Sequence, residues 1–459
     1  MASIGRMSDV AALVASTPDS RDRYVDFLRV ASLVGVVLGH FIMAVVIMDQ
    51  AADDFRFTNI LELAPWTRAG TLVLQVMPIF FVVGGFAHAV TLRSLRRRGG
   101  GYADFVDARV GRLVRPALVF IGVWLVVGAT LDVLAGDNEF VQAVAQIAGQ
   151  LLWFIGVYLL AAAFAPLTLR AHERWGAGAL AALFALVVTV DVVRLALDVP
   201  GVMWLNFAFV WLAVHQLGYF YADGVAERWG SLRLGAGMLA VGAVTLVVLT
   251  TAGPYGISMV SYAGERLSNL APPTVGLLAF AVAQAGALLM LRGPLTRWLQ
   301  RPRAWRTVII GGAVAMTAFL WHFTALIGVY AILWLGGVTM TDEPTHWRWW
   351  AYKGLLLMPF LGFVLLLVML FRRFDRPPPR ADAAGPSWWR TSLAGVSAAC
   401  AIVGMLGFAV AGFRGVVSGY VGHIAGVPMT SLVASALVLA SAVLATLAVR
   451  TRAGHTATG

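Results

Sequence analysis

The stretch Val25-Asp26-Phe27-Leu28-Arg29-Val30-Ala31-Ser32-Leu33-Val34-Gly35-Val36-Val37-Leu38-Gly39-His40-Phe41-Ile42-Met43-Ala44-Val45-Val46-Ile47-Met48 decides the fold. As a helix, residues 25–48 would run about 36 Å, enough to cross a hydrocarbon core of about 30 Å. The stretch is too long for a signal-peptide core, and no small-residue cleavage site follows it, so it is expected to stay as a helix. The rest of the chain repeats the pattern. Of its 459 residues 60% are hydrophobic and 12% charged, where soluble proteins carry roughly 45–50% and about 25%. That composition excludes a water-soluble globule.

Twelve such blocks are expected, near residues 25–48, 69–92, 113–134, 146–169, 178–198, 202–222, 232–252, 272–292, 307–336, 349–371, 392–412 and 427–449. The expected fold is all-α, a polytopic transmembrane helical bundle of about twelve spans. Sorting Lys and Arg by loop gives 26 on one side and six on the other, with Arg29 and Arg194 inside spans. The positive-inside rule then places both termini in the cytoplasm, N-in and C-in, with the chain integral to the cytoplasmic membrane. The net charge of +11 reads as topology and not as a nucleic-acid surface. The opposite loops carry acid, as in Asp49, Asp53, Asp54 and Glu62, or Asp132, Asp137 and Glu139, and Trp347, Trp349 and Trp350 sit where an interfacial belt would lie. Three prolines, Pro377-Pro378-Pro379, cannot continue a helix. The expected organisation is a cytoplasmic tail at 1–24, a ten-span unit at 25–373, a Pro-rich linker at 374–390 and a two-span extension at 391–459. A lone cysteine, Cys400, excludes internal disulfides, and Lys353 is the one lysine.

Ionisable residues inside spans are costly enough to be functional candidates. Arg29 and His40 are eleven positions apart; at 100° per residue they share one helix face to within roughly 20°, about 16 Å apart in depth. Asp26 lies three residues before Arg29, within pairing reach. A structural reading of the same residues is an interfacial Asp26–Arg29 salt bridge and a core histidine. His322 falls about midway through the ninth span and could share the depth of His40, or pack by a helix-to-helix hydrogen bond. His88 and His215 read as structural. Asp191 and Arg194, three apart, are expected to neutralise one another. No closely spaced His, Asp or Glu group resembles a metal site, no tightly bound cofactor is expected, and no Gly-Lys-Ser/Thr loop could power a pump.

Four motifs carry a resemblance. Asp26-Phe27-Leu28-Arg29, ten residues and then His40 resembles the opening of the membrane-bound acyltransferase family 3. Pro78-Ile79-Phe80-Phe81-Val82-Val83-Gly84-Gly85-Phe86 is similar to its second span, Arg109-Val110-Gly111-Arg112-Leu113-Val114-Arg115-Pro116 to its Arg-x-x-Arg segment, and Leu320-Trp321-His322 to a late aromatic-His pair. The likeness covers roughly residues 21–373. Gly84 stands where the family usually has serine, and two extra spans stand in place of the esterase-like domain some relatives append.

The resemblance implies transfer of an acyl group, acetyl foremost, from cytoplasmic acyl-CoA to a hydroxyl of a carbohydrate, glycolipid or related acceptor of the envelope or outside the cell. It implies His40 as the catalytic centre, with Arg29 and Asp26 beside it. Arg109, Arg112 and Arg115, at i, i+3 and i+6, would form a basic ridge at the inner mouth suited to CoA phosphates; Arg93 to Arg98 read as topology signals. A neutral His40 could act as general base on the acceptor hydroxyl, or form an acyl-histidine. The alternative class is a transporter or flippase of a lipid-linked sugar or metabolite. Against it stand the absence of two similar halves and the concentration of polar residues in spans one to three.

Overall fold

The computed structural model describes residues 17–18, 21–51, 54–136, 138–199, 201–375 and 387–455. Most of the expected N-terminal tail, Asp53, Asp137 and the core of the Pro-rich linker, including Arg376 and Arg380, lie outside the described residues. The protein is an all-α polytopic bundle, 78% helical. The helices that matter are α1 (Arg23–Met43), α2 (Met77–Arg97), α3 (Tyr102–Ala135), α4 (Glu139–Gln150), α5 (Leu152–Trp175), α6 (Ala177–Ala196), α7 (Asn206–Ala222), α8 (Ser231–Thr251), α9 (Val275–Leu299), α10 (Pro302–Leu335), α11 (Trp347–Phe371), α12 (Trp388–Ala411) and α13 (Ser431–His455).

Among the described residues ten helices are long and apolar enough to cross a membrane. The two expected spans outside this set are α7, with 17 residues, and α13, whose apolar part is Ser431–Leu447. At 1.5 Å per residue 17 residues reach about 26 Å, just short of a hydrocarbon core. The apolar run extends back to 202, but Gly201 adopts a left-handed φ of 82° and residues Val202–Leu205 wind as a 3-10 turn. The first span also differs from expectation. α1 stops at Met43, and Ala44–Asp49 forms strand β1, paired antiparallel with β2 (Asp54–Asn59) from Ala44↔Asn59 to Asp49↔Asp54. Val45-Val46-Ile47 is a β-branched run that favours the pleated surface over helix. A second short hairpin, β3 (Gly422–Ile424) and β4 (Val427–Met429), precedes α13.

The chain folds as two compact, interleaved units. The first takes the chain up to His40, Ala64–Ala87 and Ala177–Phe319. Its core cluster joins Tyr24, Val25 and Leu28 of α1 to Val83, Leu299, Trp305 and Val308. Helices α2 and α7 cross at glycines. A Cβ on Gly85 would fall 1.8 Å from the His215 carbonyl oxygen, and one on Gly218 would fall 2.1 Å from that of Val82. Backbones this close admit no side chain at either position, the close-approach role of small residues in membrane bundles.

The second unit takes Phe41–Leu63, His88–Gly176 and the chain from Leu320 onward. Helix α12 packs on α3, α4, α5 and α13. Arg390 of α12 makes an ion pair of 2.9 Å with Asp104 in the first turn of α3, with side chains 5% and 4% exposed. At the other end of α3, the Asp132 carboxylate accepts hydrogen bonds from the backbone N–H groups of Val417 and Ser418 and from the Ser418 hydroxyl. Lys353 is buried: its Nζ donates to the Ala44 carbonyl at 2.5 Å and to the Tyr330 hydroxyl at 2.9 Å, with the Phe41 ring at 4.6 Å.

Candidate active site

The site candidates divide between the units. Asp26, Arg29 and His40 lie in the first; Arg109, Arg112, Arg115 and His322 lie in the second.

In the first unit Asp26 and Arg29 are together. The Asp26 carboxylate receives Arg29 Nη2 at 3.1 Å and Arg21 Nε at 2.6 Å, so two arginines share one acid. Arg29 is 37% exposed, and its guanidinium lies against α10 where Gly312 leaves room: a Cβ there would sit 3.5 Å from Nη2. His40 follows on the same helix in its last turn, three turns further along.

What flanks His40 was not visible in the motifs. The expected second span begins with a broken helix: a 3-10 turn at Pro65–Gly70, a short helix at Thr71–Leu74, and then Gln75-Val76 before α2. Pro78 has no N–H to carry the helical ladder through, and Gln75 is extended, with ψ of 95°. This break lies along α1. A Cβ on Gly35 would sit 3.1 Å from Val76, and one on Gly39 would sit 3.9 Å from Leu74.

The break is stitched to its surroundings. Gln75 donates to the Met259 carbonyl at 2.8 Å, its own carbonyl accepts from Gln284 at 2.8 Å, and Met259 N–H donates to the Thr71 hydroxyl at 2.9 Å. Through Met259 the connection from α8 to α9 is anchored beside the His40 end of α1. Its polar residues are committed inward: Tyr255 donates to Asp191 at 2.9 Å, Asn269 donates to the carbonyls of Gly256 and Ser258, and Ser261 pairs with Ser268. Glu265 differs, since its two carboxylate oxygens are buried without a hydrogen-bond partner. Burial pushes its carboxyl up to about 7, against the opposing charge of Arg68.

Asp191 has more partners than the expected Arg194. Its carboxylate is satisfied by Asn206, Tyr255 and the Val275 N–H, at 3.0, 2.9 and 2.8 Å, while Arg194 contributes nearby charge without a hydrogen bond to it. A second missed network joins Asp22, Tyr221, Arg292 and Glu227 at the start of α1. In both cases the partners are far apart in sequence, and a polar residue inside an apolar run was the one available signal.

In the second unit Arg112 and Arg115 are exposed. Arg109 is tethered by Nη2 to the Thr91 hydroxyl at 2.9 Å and lies over the Phe105 ring at 5.2 Å, while its Nε is buried without a partner. Arg93 and Arg96 both pair with Glu173. His322 is fully buried, its ring 4.8 Å from that of Phe323. His88 lies 3.5 Å from the Tyr158 hydroxyl.

The Asp-x-x-Arg pair and His40 thus share the first helix of a polytopic helical bundle. Residues 22–371 match the acyltransferase domain of acyltransferase family 3, and the chain belongs to that family. Helices α12 and α13 lie beyond the matched region. Comparison with curated proteins and with solved structures finds no match.

Proposed function

We propose that this acyltransferase takes an acyl group, acetyl foremost, from acyl-CoA and passes it to a hydroxyl of a carbohydrate, glycolipid or related acceptor, at the cytoplasmic membrane. The observation that carries this reading is the family match together with Arg29 and His40 on one face of α1. In the reaction His40 accepts the proton of the acceptor hydroxyl as its oxygen attacks the thioester carbonyl. The tetrahedral intermediate collapses, the C–S bond breaks, and the departing CoA thiolate takes the proton back from the imidazolium. The ester and free CoA are the products, and the histidine is regenerated.

Arg29 keeps a planar, permanently charged fork beside this path, with Asp26 holding it at 3.1 Å. Arg109, Arg112 and Arg115 are the donor-binding candidates of the second unit; the unbonded Nε of Arg109 and the exposure of the other two favour a ligand over simple topology. His322, buried and apolar-packed, is given a supporting role. The connection at 252–274, anchored beside the His40 end of α1, is assigned to the acceptor.

The test is chemical. Envelope glycans and secreted metabolites from cells with and without the gene are compared by mass, after feeding isotopically labelled acetate. The reading expects an acyl-bearing species that disappears with the gene and again in His40→Ala; identical profiles would contradict it.

A further inference from the structure

Residues 292–306 hold five arginines, at 292, 297, 301, 303 and 306, and the chain has no aspartate or glutamate between Glu265 and Asp342. Arg292 is already engaged by Tyr221 and Glu227. Arg301 and Arg303 are exposed, and among the described residues neither guanidinium has an acid or a hydrogen-bond acceptor. With Trp298, Pro302, Ala304 and Thr307 they line a cleft of about 600 Å³ within the first unit. That lies inside the range of about 300–1,000 Å³ typical of small-molecule sites.

Three features of the cleft point to one ligand chemistry. It opens at the N-terminus of α10, a helix of 34 residues. Pro302 has no N–H and the Trp305 N–H donates to the Arg301 carbonyl, which leaves the N–H groups of Arg303 and Ala304 without an intrahelical acceptor, and the helix dipole favours negative charge. Two guanidinium forks without acids stand beside that terminus, a geometry matched to phosphate oxygens. Trp298, 39% exposed and braced by an edge contact with Phe27 at 5.7 Å, adds a flat aromatic surface. The site has a firm base. Trp305 is 1% exposed, donates to the Thr17 hydroxyl at 3.0 Å, and carries the guanidinium groups of Arg21 and Arg23 over its ring.

We propose that this cleft binds the phosphorylated nucleotide end of the acyl donor, with the base stacked on Trp298 and phosphate held by Arg301, Arg303 and the N-terminus of α10. The choice of nucleotide rests on the acyl-CoA reading above. A lipid phosphate offers the same anion, but the aromatic surface beside the two forks selects a ligand carrying a planar base.

The probe is adenosine 3′,5′-bisphosphate, titrated against the full-length protein in nanodiscs of phosphatidylcholine, and again with phosphatidylglycerol added, reading tryptophan fluorescence and calorimetry. The expected result is saturable binding in both lipids. Each of Arg301→Ala and Arg303→Ala should weaken it about tenfold, both together about a hundredfold, and Trp298→Ala about tenfold with near-normal binding in Trp298→Phe. Arg170→Ala, an exposed arginine outside the cleft, should bind as wild type. An unaltered affinity in the double arginine variant would overturn the proposal. So would absence of binding by the wild type, or a cleft that responds to phosphatidylglycerol alone. Because binding is read without turnover, nucleotide held in the cleft with no acyl transfer would uphold the cleft and count against the acyltransfer chemistry alone.

Discussion

Arg29 and Glu265 carry the sharpest tests at the scale of single residues. Arg29 shares Asp26 with Arg21 and lies against α10 at Gly312. Lysine in its place keeps the charge but not the fork. Arg29→Lys should therefore lower kcat/KM for acyl-CoA by about tenfold or more, while Arg21→Lys, on the more exposed partner, should cost less; steady-state kinetics at varied donor decide it. Glu265 titrates near 7 when folded, against an ordinary value of 4.5, because burial disfavours its charged form. The folded state then holds the proton more tightly than the unfolded state, so this group's stabilising contribution is present at low pH and is lost as pH rises from about 4.5 through about 7. Hydrogen exchange across residues 252–274, corrected for intrinsic rate, should show stronger protection at pH 5 than at pH 8. Glu265→Gln should flatten that difference. Arg29, Asp26 and His40 were legible in the sequence because their relation is local, set by helical periodicity within one segment. The partners of Asp191 were not, since Tyr255 and Val275 lie 64 and 84 residues away and nothing local announces them.

At the scale of elements, the departures from the sequence reading have local causes. A β-branched run ends α1 early and turns it into a hairpin, and Pro78 breaks the second span at Gln75. The first change follows His40 directly in the chain, and the second lies beside α1 at Gly35 and Gly39. The helices beyond the matched family region also join the rest of the second unit through specific contacts, chiefly the Arg390–Asp104 pair. Removing one partner of a buried ion pair leaves the other uncompensated, at a cost of about 3–5 kcal/mol. Arg390→Ala should accordingly lower the thermal unfolding temperature in detergent markedly, whereas Ser392→Ala, two residues on and exposed, should leave it near wild type. Equal melting of the two variants would show that α12 is held by apolar packing alone.

For the whole molecule, composition and the blocks of apolar sequence make the all-α membrane bundle legible in the sequence, since a bilayer admits few other solutions for so apolar a chain. The exact lengths of α7 and α13 were not, because a turn of 3-10 helix or a short hairpin costs the sequence pattern nothing. The basic asymmetry of 26 to six predicts that a reporter fused after Arg452 is accessible from the cytoplasmic side, and labelling from outside the intact cell would contradict it. The central claim is acyl transfer from acyl-CoA through His40, and it is tested most directly by CoA release. Purified protein in nanodiscs is given acetyl-CoA and an envelope-glycan extract, and free thiol is followed with time. The account predicts acceptor-dependent CoA release by the wild type, matched by acetyl ester on the acceptor, and a rate lower by about 10²–10⁴ in folded His40→Ala. Wild-type protein that releases no CoA above empty nanodiscs, or a His40→Ala variant that releases it at the wild-type rate, would contradict the account.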